Sequence, residues 1–214
     1  MVERIIVVGA GGFGRETLDV IEAINRSGAA PMWEIVGVVD DAPAAVNLER
    51  LGARGYAHLG GVDVAVDLSA TSAVAIGVGS PTTRAVLAAR LTKAGARLAT
   101  LVHPSAVVGS ACTIGAGSII CAGVQVSTNV GLGLRVHLNP GAVIGHDAVL
   151  ADDVSVNPGG IVSGDVSVGR GSLIGAGAVV LQGLTVGEEV VVGASACVTR
   201  DVPSGLRVKG VPAR

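Results

Sequence analysis

Aliphatic residues recur at every sixth position through the second half of the chain, from Val108 to Val198 without a gap. The position four residues after each of them is also small or aliphatic, as at Val124, Val130 and Val136. An α-helix repeats at about 3.6 residues and a β-strand at two, so neither explains a period of six. The pattern predicts a coil with three flat sides, each side a short strand and each corner a turn of small residues. Three hexads complete one coil, and stacked coils bury each other's faces in a solenoid.

The first hundred residues follow a different pattern, in which short apolar runs alternate with segments of helical periodicity. Ser80 and Pro81 have the character of an N-cap and a first helical residue, and Gly95 ends that helix. The predicted elements are strands at 4–8, 34–39 and 73–78 and helices at 15–26 and 81–94. This order predicts a small parallel sheet covered by helices, a Rossmann-like α/β domain over residues 1–102. The β-helix domain is then expected over residues 103–214.

The amino-acid composition and charge argue against several classes of function and favour one cellular compartment. The net charge is −2 without any block of like charge, and Phe, Tyr and Trp occur once each, so we expect no nucleic-acid partner. The sequence shows no basic segment followed by a long apolar run, so we expect neither a signal peptide nor a membrane partner. Three cysteines without a CxxC motif favour a reducing compartment, the cytoplasm.

A glycine loop and a His-Asp pair carry the candidate chemistry. Gly9, Gly11 and Gly14 form a GxGxxG loop between a strand and a helix, which suits phosphate binding and, most commonly, a dinucleotide. About a hundred residues leave room for one mononucleotide-binding half instead. His146 falls at a corner of the coil, where its imidazole can meet solvent and act as a general base, and Asp147 can orient it.

The order of several motifs along the chain resembles one family. They are GAGGFGRE at 9–16, VVDD at 38–41, AIG at 75–77, HPSA at 103–106, NPGAVIGHD at 139–147 and GVPA at 210–213. The chain thus resembles the bacterial hexapeptide-repeat sugar acetyltransferases of the sialic-acid O-acetyltransferase type, which include the UDP-4-amino-sugar and GDP-perosamine N-acetyltransferases. The resemblance implies a left-handed β-helix, acetyl-CoA as co-substrate, a nucleotide-sugar substrate and a homotrimer with active sites between neighbouring β-helices. It implies no metal.

The resemblance also assigns roles to residues. His146 and Asp147 match the catalytic pair. The residues implied in acetyl-CoA binding are Asn139, Ser155, Gly159, Gly164 and Gly193, although some relatives have His where this chain has Ser155. Those implied in substrate binding are Gly11, Gly12, Phe13, Asp40, Asp41, Gly77, Gly79 and Arg84, although several amino-sugar enzymes have His in place of Phe13.

The expected function is therefore direct transfer of an acetyl group to the amino group of a nucleotide-linked sugar, in the biosynthesis of a bacterial glycan, with His146 as general base. The alternatives are transfer to a sugar or sialic-acid hydroxyl, a non-catalytic nucleotide-sugar-binding protein and an NAD-dependent enzyme.

Overall fold

The structure is a computed structural model that describes residues 2–214. The chain folds into two compact units, one ending at Pro104 and the other beginning at Ser105. This division lies two residues after the boundary that the sequence predicts.

The N-terminal unit contains one parallel sheet with strand order β3-β2-β1-β4. Its strands are β1 (Glu3–Val8), β2 (Trp33–Val39), β3 (His58–Gly60) and β4 (Ala73–Ile76), and its helices are α1 (Gly12–Ser27), α2 (Ala45–Gly52), α3 (Val62–Asp67) and α4 (Pro81–Lys93). Buried aliphatic residues of the sheet, including Ile6, Val39 and Ile76, pack with Leu91 of α4 in one core. The predicted α/β domain is confirmed.

Local sequence explains where the two long helices begin. At α4 the Ser80 hydroxyl accepts from the Thr83 N–H at 3.3 Å, with Pro81 as the first helical residue, as predicted. Helix α1 begins at Gly12, three residues before the prediction, because the N-cap is Gly11 inside the glycine loop. The elements α2, β3 and α3 are not predicted from the sequence, because they are too short to show a clear period.

The C-terminal unit consists of two-residue strands at intervals of six residues, and the first strand of this spacing, β5 (Leu101–Val102), precedes the domain boundary. The strands of the unit are β6 (Val107–Val108), β7 (Thr113–Ile114), β8 (Ile119–Ile120), β9 (Gln125–Val126), β10 (Gly131–Leu132), β11 (His137–Leu138), β12 (Val143–Ile144), β13 (Val149–Leu150), β14 (Ser155–Val156), β15 (Ile161–Val162), β16 (Ser167–Val168), β17 (Leu173–Ile174), β18 (Val179–Val180), β19 (Thr185–Val186), β20 (Val191–Val192), β21 (Cys197–Val198) and β22 (Arg207–Val208).

These strands form three parallel sheets, one for each side of the coil. Their orders are β19-β16-β13-β10-β7, β22-β20-β17-β14-β11-β8 and β21-β18-β15-β12-β9-β6. Partners in register lie 18 residues apart, so that Val143 stands between Gln125 and Ile161, except in the last pair, β20 and β22, where they lie 16 apart. We call residues that are 18 apart, and therefore stack on one another in successive coils, a column.

The corners use a left-handed backbone at every sixth residue. Positive φ angles recur from Ala111 to Ser195, three positions after each inward residue. Where the residue is not Gly it is often Asn or Asp, as at Asn129 and Asp147, which tolerate this conformation better than other side chains. The inward positions are buried as predicted from Ile120 onward, with Ile144 fully inaccessible to solvent, whereas Val108 is exposed and Ile114 half-buried in the first coil. The period fails once, because β22 follows β21 after ten residues.

Candidate active site

Two corners of the coil flank β12 and carry all the candidate residues of this unit except Ser155, which lies in β14. The upstream corner lies before β12, between its sheet and that of β11. The downstream corner lies after β12, between its sheet and that of β13. His146 and Asp147 are in the downstream corner.

The His146 imidazole is held by its neighbour in sequence. Its side chain is 50% exposed, and Nδ1 lies 2.7 Å from Asp147 Oδ2. An ionised carboxylate can only accept a hydrogen bond, so Nδ1 carries the proton in the neutral ring and Nε2 keeps its lone pair. This is the tautomer that a general base needs.

Asp147 is itself held from the preceding coil. Asn129, its neighbour in the column, donates from Nδ2 to Asp147 Oδ1 at 2.6 Å. The Asp147 N–H also donates to Thr128 O at 3.1 Å. The hydrogen bond from Asn129, followed by that from His146, lowers the pKa of Asp147 below its ordinary value. The carboxylate is therefore ionised at neutral pH.

Gly164, one coil after His146 in the same column, leaves room for the imidazole. A Cβ atom on Gly164 would lie 2.5 Å from His146 Nε2 and 2.6 Å from Cε1. The Asp165 N–H donates to His146 O at 2.9 Å, so the backbone is also fixed between the two coils. The ring therefore lies directly over a residue without a side chain.

Three residues predicted to bind acetyl-CoA lie at the upstream corner instead. Asn139 and Gly193 belong to one column there, and Gly159 lies in the same corner at a left-handed position. Asn139 Nδ2 donates to Asn157 Oδ1 in the next coil at 3.3 Å. Ser155 lies in β14 and is only 2% exposed. One side of the coil, the β12 side, thus separates the corner of Asn139, Gly159 and Gly193 from the corner of His146, Asp147 and Gly164.

In the N-terminal unit, the glycine loop divides into packing residues and open residues. A Cβ on Gly14 would lie 1.7 Å from Gly9 O, and one on Gly77 would lie 2.7 Å from Gly14 Cα. Gly77 therefore allows β4 to approach α1. A Cβ on Gly11 or Gly12 would meet nothing within 4 Å, so these two positions at the start of α1 face open space. Phe13 follows them and is half-buried.

A cavity of about 260 Å³ lies beside this loop at the carboxyl ends of β1 and β2. Its lining includes Gly9, Asp40, Asp41 and Thr83. Asp40 accepts hydrogen bonds from the Ala10 and Ala42 N–H groups at 2.8 and 3.0 Å. Asp41 accepts one from the Val62 N–H at 2.8 Å. Both aspartates thus order loops around the cavity.

Arg84 and Gly79 are both predicted to bind the substrate, but in the structure Arg84 contacts the backbone of Gly79. The Arg84 side chain is fully buried, and its Nη1 donates to Val78 O at 3.1 Å and to Gly79 O at 3.4 Å. The guanidinium therefore holds the loop after β4 from within the protein. A Cβ on Gly79 would meet open space.

Asn129 and the position of Gly164 beneath the imidazole are not predicted from the sequence. The 18-residue coil contains the signal for both, because 129 is 147 minus 18 and 164 is 146 plus 18. Over residues 2–214, no group of three or more His, Cys, Asp and Glu side chains is arranged to hold a metal ion. Within the same residues, no helix has the length and apolar character needed to span a membrane.

Comparison with known proteins gives matches to each part of the chain. Residues 4–91 match the family model of the PglD N-terminal domain. The acetyltransferase domain of PglB from Neisseria gonorrhoeae, in complex with acetyl coenzyme A, is 27% identical and superposes with a TM-score of 0.84 over 100% of this chain and 99% of that one. PerB from Caulobacter crescentus, in complex with CoA and GDP-perosamine, is 28% identical with a TM-score of 0.87 over 100% and 97%.

WeeI from Acinetobacter baumannii AYE is 27% identical, with a TM-score of 0.85 over 100% of this chain and 99% of that one. No curated protein matches the chain. The structural matches extend over both units, and they confirm the α/β domain followed by a left-handed parallel β-helix.

Proposed function

Because the chain belongs to the bacterial hexapeptide-repeat sugar acetyltransferases and is an acyltransferase, we propose that it transfers the acetyl group of acetyl-CoA to the amino group of a nucleotide-linked amino sugar. The observation that carries the proposal is the His146–Asp147 pair, which leaves Nε2 of a half-exposed imidazole as an acceptor. The match to PerB, which was solved with CoA and GDP-perosamine, supports this substrate class.

The chemistry follows from this geometry. The sugar nitrogen forms a bond to the thioester carbonyl carbon while His146 Nε2 takes a proton from the nitrogen. The carbonyl oxygen gains negative charge in the tetrahedral intermediate, and backbone N–H groups stabilise such an oxyanion effectively. The C–S bond then breaks, CoA leaves as a thiolate that takes the proton from His146 Nε2, and the products are the acetamido sugar and CoA, with the base regenerated. Asp147 stabilises the imidazolium that forms during the first step.

We assign one substrate to each of the two units, according to the residues that line the cavity beside the glycine loop and the corners of the coil. The sugar nucleotide occupies the cavity beside the glycine loop, with its diphosphate at the open backbone of Gly11 and Gly12 and with Asp40 and Asp41 near ribose or base. Phe13, Gly77, Gly79 and Arg84 shape this site. Acetyl-CoA contacts residues of both corners and of β14, for which the candidates are Asn139, Ser155, Gly159, Gly164 and Gly193.

We further propose that the active enzyme is a homotrimer. The upstream corner carries residues proposed to bind acetyl-CoA, and the downstream corner carries the proposed base. These corners lie at opposite ends of the β12 side, so contact between the corners of two copies would complete a site. The outer face of that side is a mostly apolar stripe along its sheet, and covering it would stabilise an oligomer. The stripe consists of Val107, Gln125, Val143, Ile161, Val179 and Cys197. We place this reaction in the cytoplasm, where acetyl-CoA is formed.

The test begins with ligands. A thermal-shift screen against acetyl-CoA and a panel of UDP-, GDP- and dTDP-linked amino sugars should raise the unfolding midpoint for one sugar nucleotide and for acetyl-CoA, because a ligand that binds only the native state stabilises it. Binding of a nucleotide sugar without acetyl-CoA would instead favour a non-catalytic protein.

The second step measures transfer with the ligands so identified. His146→Ala should keep the fold and lower turnover at least ~100-fold, the range expected for loss of a general base. His103→Ala, which removes a histidine outside both corners, is the control and should retain turnover. Near wild-type turnover of His146→Ala would refute the assignment. Mass spectrometry of the product, before and after mild alkali that cleaves esters but not amides, separates N-acetylation from transfer to a hydroxyl.

A further inference from the structure

We propose that Asn129 is a positioning residue of this reaction, which fixes the Asp147 carboxylate so that its second oxygen remains aligned with His146 Nδ1. The inference rests on the proposed function, because it concerns the base of the same acetyl transfer. It extends the His-Asp pair to a chain of three side chains that crosses from one coil to the next.

The two oxygens of Asp147 have separate donors. Asn129 Nδ2 lies 2.6 Å from Oδ1, and His146 Nδ1 lies 2.7 Å from Oδ2. The terminal torsion of an aspartate is broad and roughly two-fold, so one donor alone leaves the carboxylate free to turn. A second donor on the other oxygen fixes its plane. This matters here because Asp147 is exposed, and water competes for both oxygens.

Asn129 can serve as this second donor because its own backbone is fixed. Its N–H donates to Ser110 O at 2.8 Å, and Thr128, the residue before it, donates from its hydroxyl to the same oxygen at 3.0 Å. Thr128 O in turn accepts from the Asp147 N–H. Three successive coils therefore set the distance between the amide and the carboxylate.

Two properties favour Asn at position 129, although Arg135 and Glu189 occupy equivalent left-handed positions. Its φ angle of 62° lies in the left-handed region, which Gly, Asn and Asp tolerate. Only Asn among these three also donates a hydrogen bond from its side chain. Asn129→Gly thus removes the donor while keeping the backbone, and Asn129→Asp replaces the donor by a second carboxylate of similar shape.

The kinetic test compares these variants with the wild type at saturating substrates. We expect kcat to fall about tenfold in Asn129→Gly and further in Asn129→Asp, with both KM values unchanged within about twofold, since the amide donates to Asp147 and is not among the residues proposed to bind either substrate. Glu189→Gly is the matched control, because Glu189 occupies the same left-handed position at a corner without site residues. It should keep the wild-type kcat.

A double-mutant cycle separates positioning from a structural role. If Asn129 acts through Asp147, then Asn129→Gly should change kcat less than about twofold in an Asp147→Ala background. An equal loss in both backgrounds, or a wild-type kcat in Asn129→Gly, would overturn the proposal.

A spectroscopic readout keeps the proposal testable apart from turnover. Nitrogen-15 NMR of the four histidines, with the His146 signals identified by their loss in His146→Ala, reports which ring nitrogen is protonated. The Nδ1–H form should dominate in the wild type and lose population in Asn129→Gly. An unchanged tautomer would refute the positioning role even if no acceptor were acetylated, whereas a wild type that acetylates no acceptor would refute the proposed function.

Discussion

The most direct test of the role proposed for the downstream corner adds one methyl group at Gly164. Gly164→Ala would place a Cβ atom 2.5 Å from His146 Nε2, whereas non-bonded heavy atoms need about 3.5 Å. The imidazole must therefore shift by about 1 Å or turn away. Misplacement of a catalytic group by this distance can cost ~100-fold in rate. We expect kcat to fall by that factor while stability changes little, because the half-exposed ring can move and the φ angle of Gly164 lies outside the left-handed region.

The assay follows the thiol of released CoA with a chromogenic disulfide. Gly131→Ala is the control, since a Cβ there would meet its neighbours only at 3.9 Å or more. In a His146→Ala background, Gly164→Ala should have no further effect on kcat. A rise in the KM for acetyl-CoA with kcat unchanged would refute this reasoning, because it would show that the added Cβ disturbs coenzyme binding and leaves the imidazole in place.

Three further predictions concern other parts of the molecule. Ile144→Ala should lower the free energy of unfolding by about 2–5 kcal/mol, because Ile144 is fully buried. Urea denaturation followed by circular dichroism measures this change, with Val149→Ala on the exposed face as the control. A loss below about 1 kcal/mol would contradict the prediction. Burial and a hydrogen bond to Glu22 raise the pKa of Tyr56 to about 12, so ultraviolet titration of this single tyrosine should show ionisation near that pH. The stabilisation that results from this contact is complete below the ordinary pKa of tyrosine and disappears as the pH rises through about 12. A titration midpoint near the ordinary pKa of 10 would contradict the contact. Arg84→Met should lower the melting temperature, because it removes the donor to Val78 O and Gly79 O, whereas an unchanged melting temperature would show that this contact is unimportant.

The β-helix was predictable because its burial pattern is local in sequence. The six-residue period directly predicts which residues point inward, such as Val156, and each coil contacts only its neighbouring coils. The short elements α2 and β3 were not predictable, since a segment of eight or three residues shows too little of any period. Their places depend on packing against the sheet.

The ionisable residues of the candidate site could be predicted from the sequence more readily than the residues that hold them in place. His146 and Asp147 are adjacent in sequence, and a corner position implies their exposure. Asn129 contacts Asp147 across 18 residues, so its role follows only when the number of residues per coil is known. The buried position of Arg84 could not be read from composition, because an arginine after a strand also suits a phosphate contact.

The spacing of the corners also limits how the length of this chain can change without loss of activity. Deleting one hexad between Asn129 and His146 would rotate every later residue by one face, about a third of a revolution, and would separate Asp147 from Asn129. Removing or adding a whole coil elsewhere would leave each remaining residue above the same kind of partner. Insertions and deletions in this domain are therefore expected in multiples of three hexads.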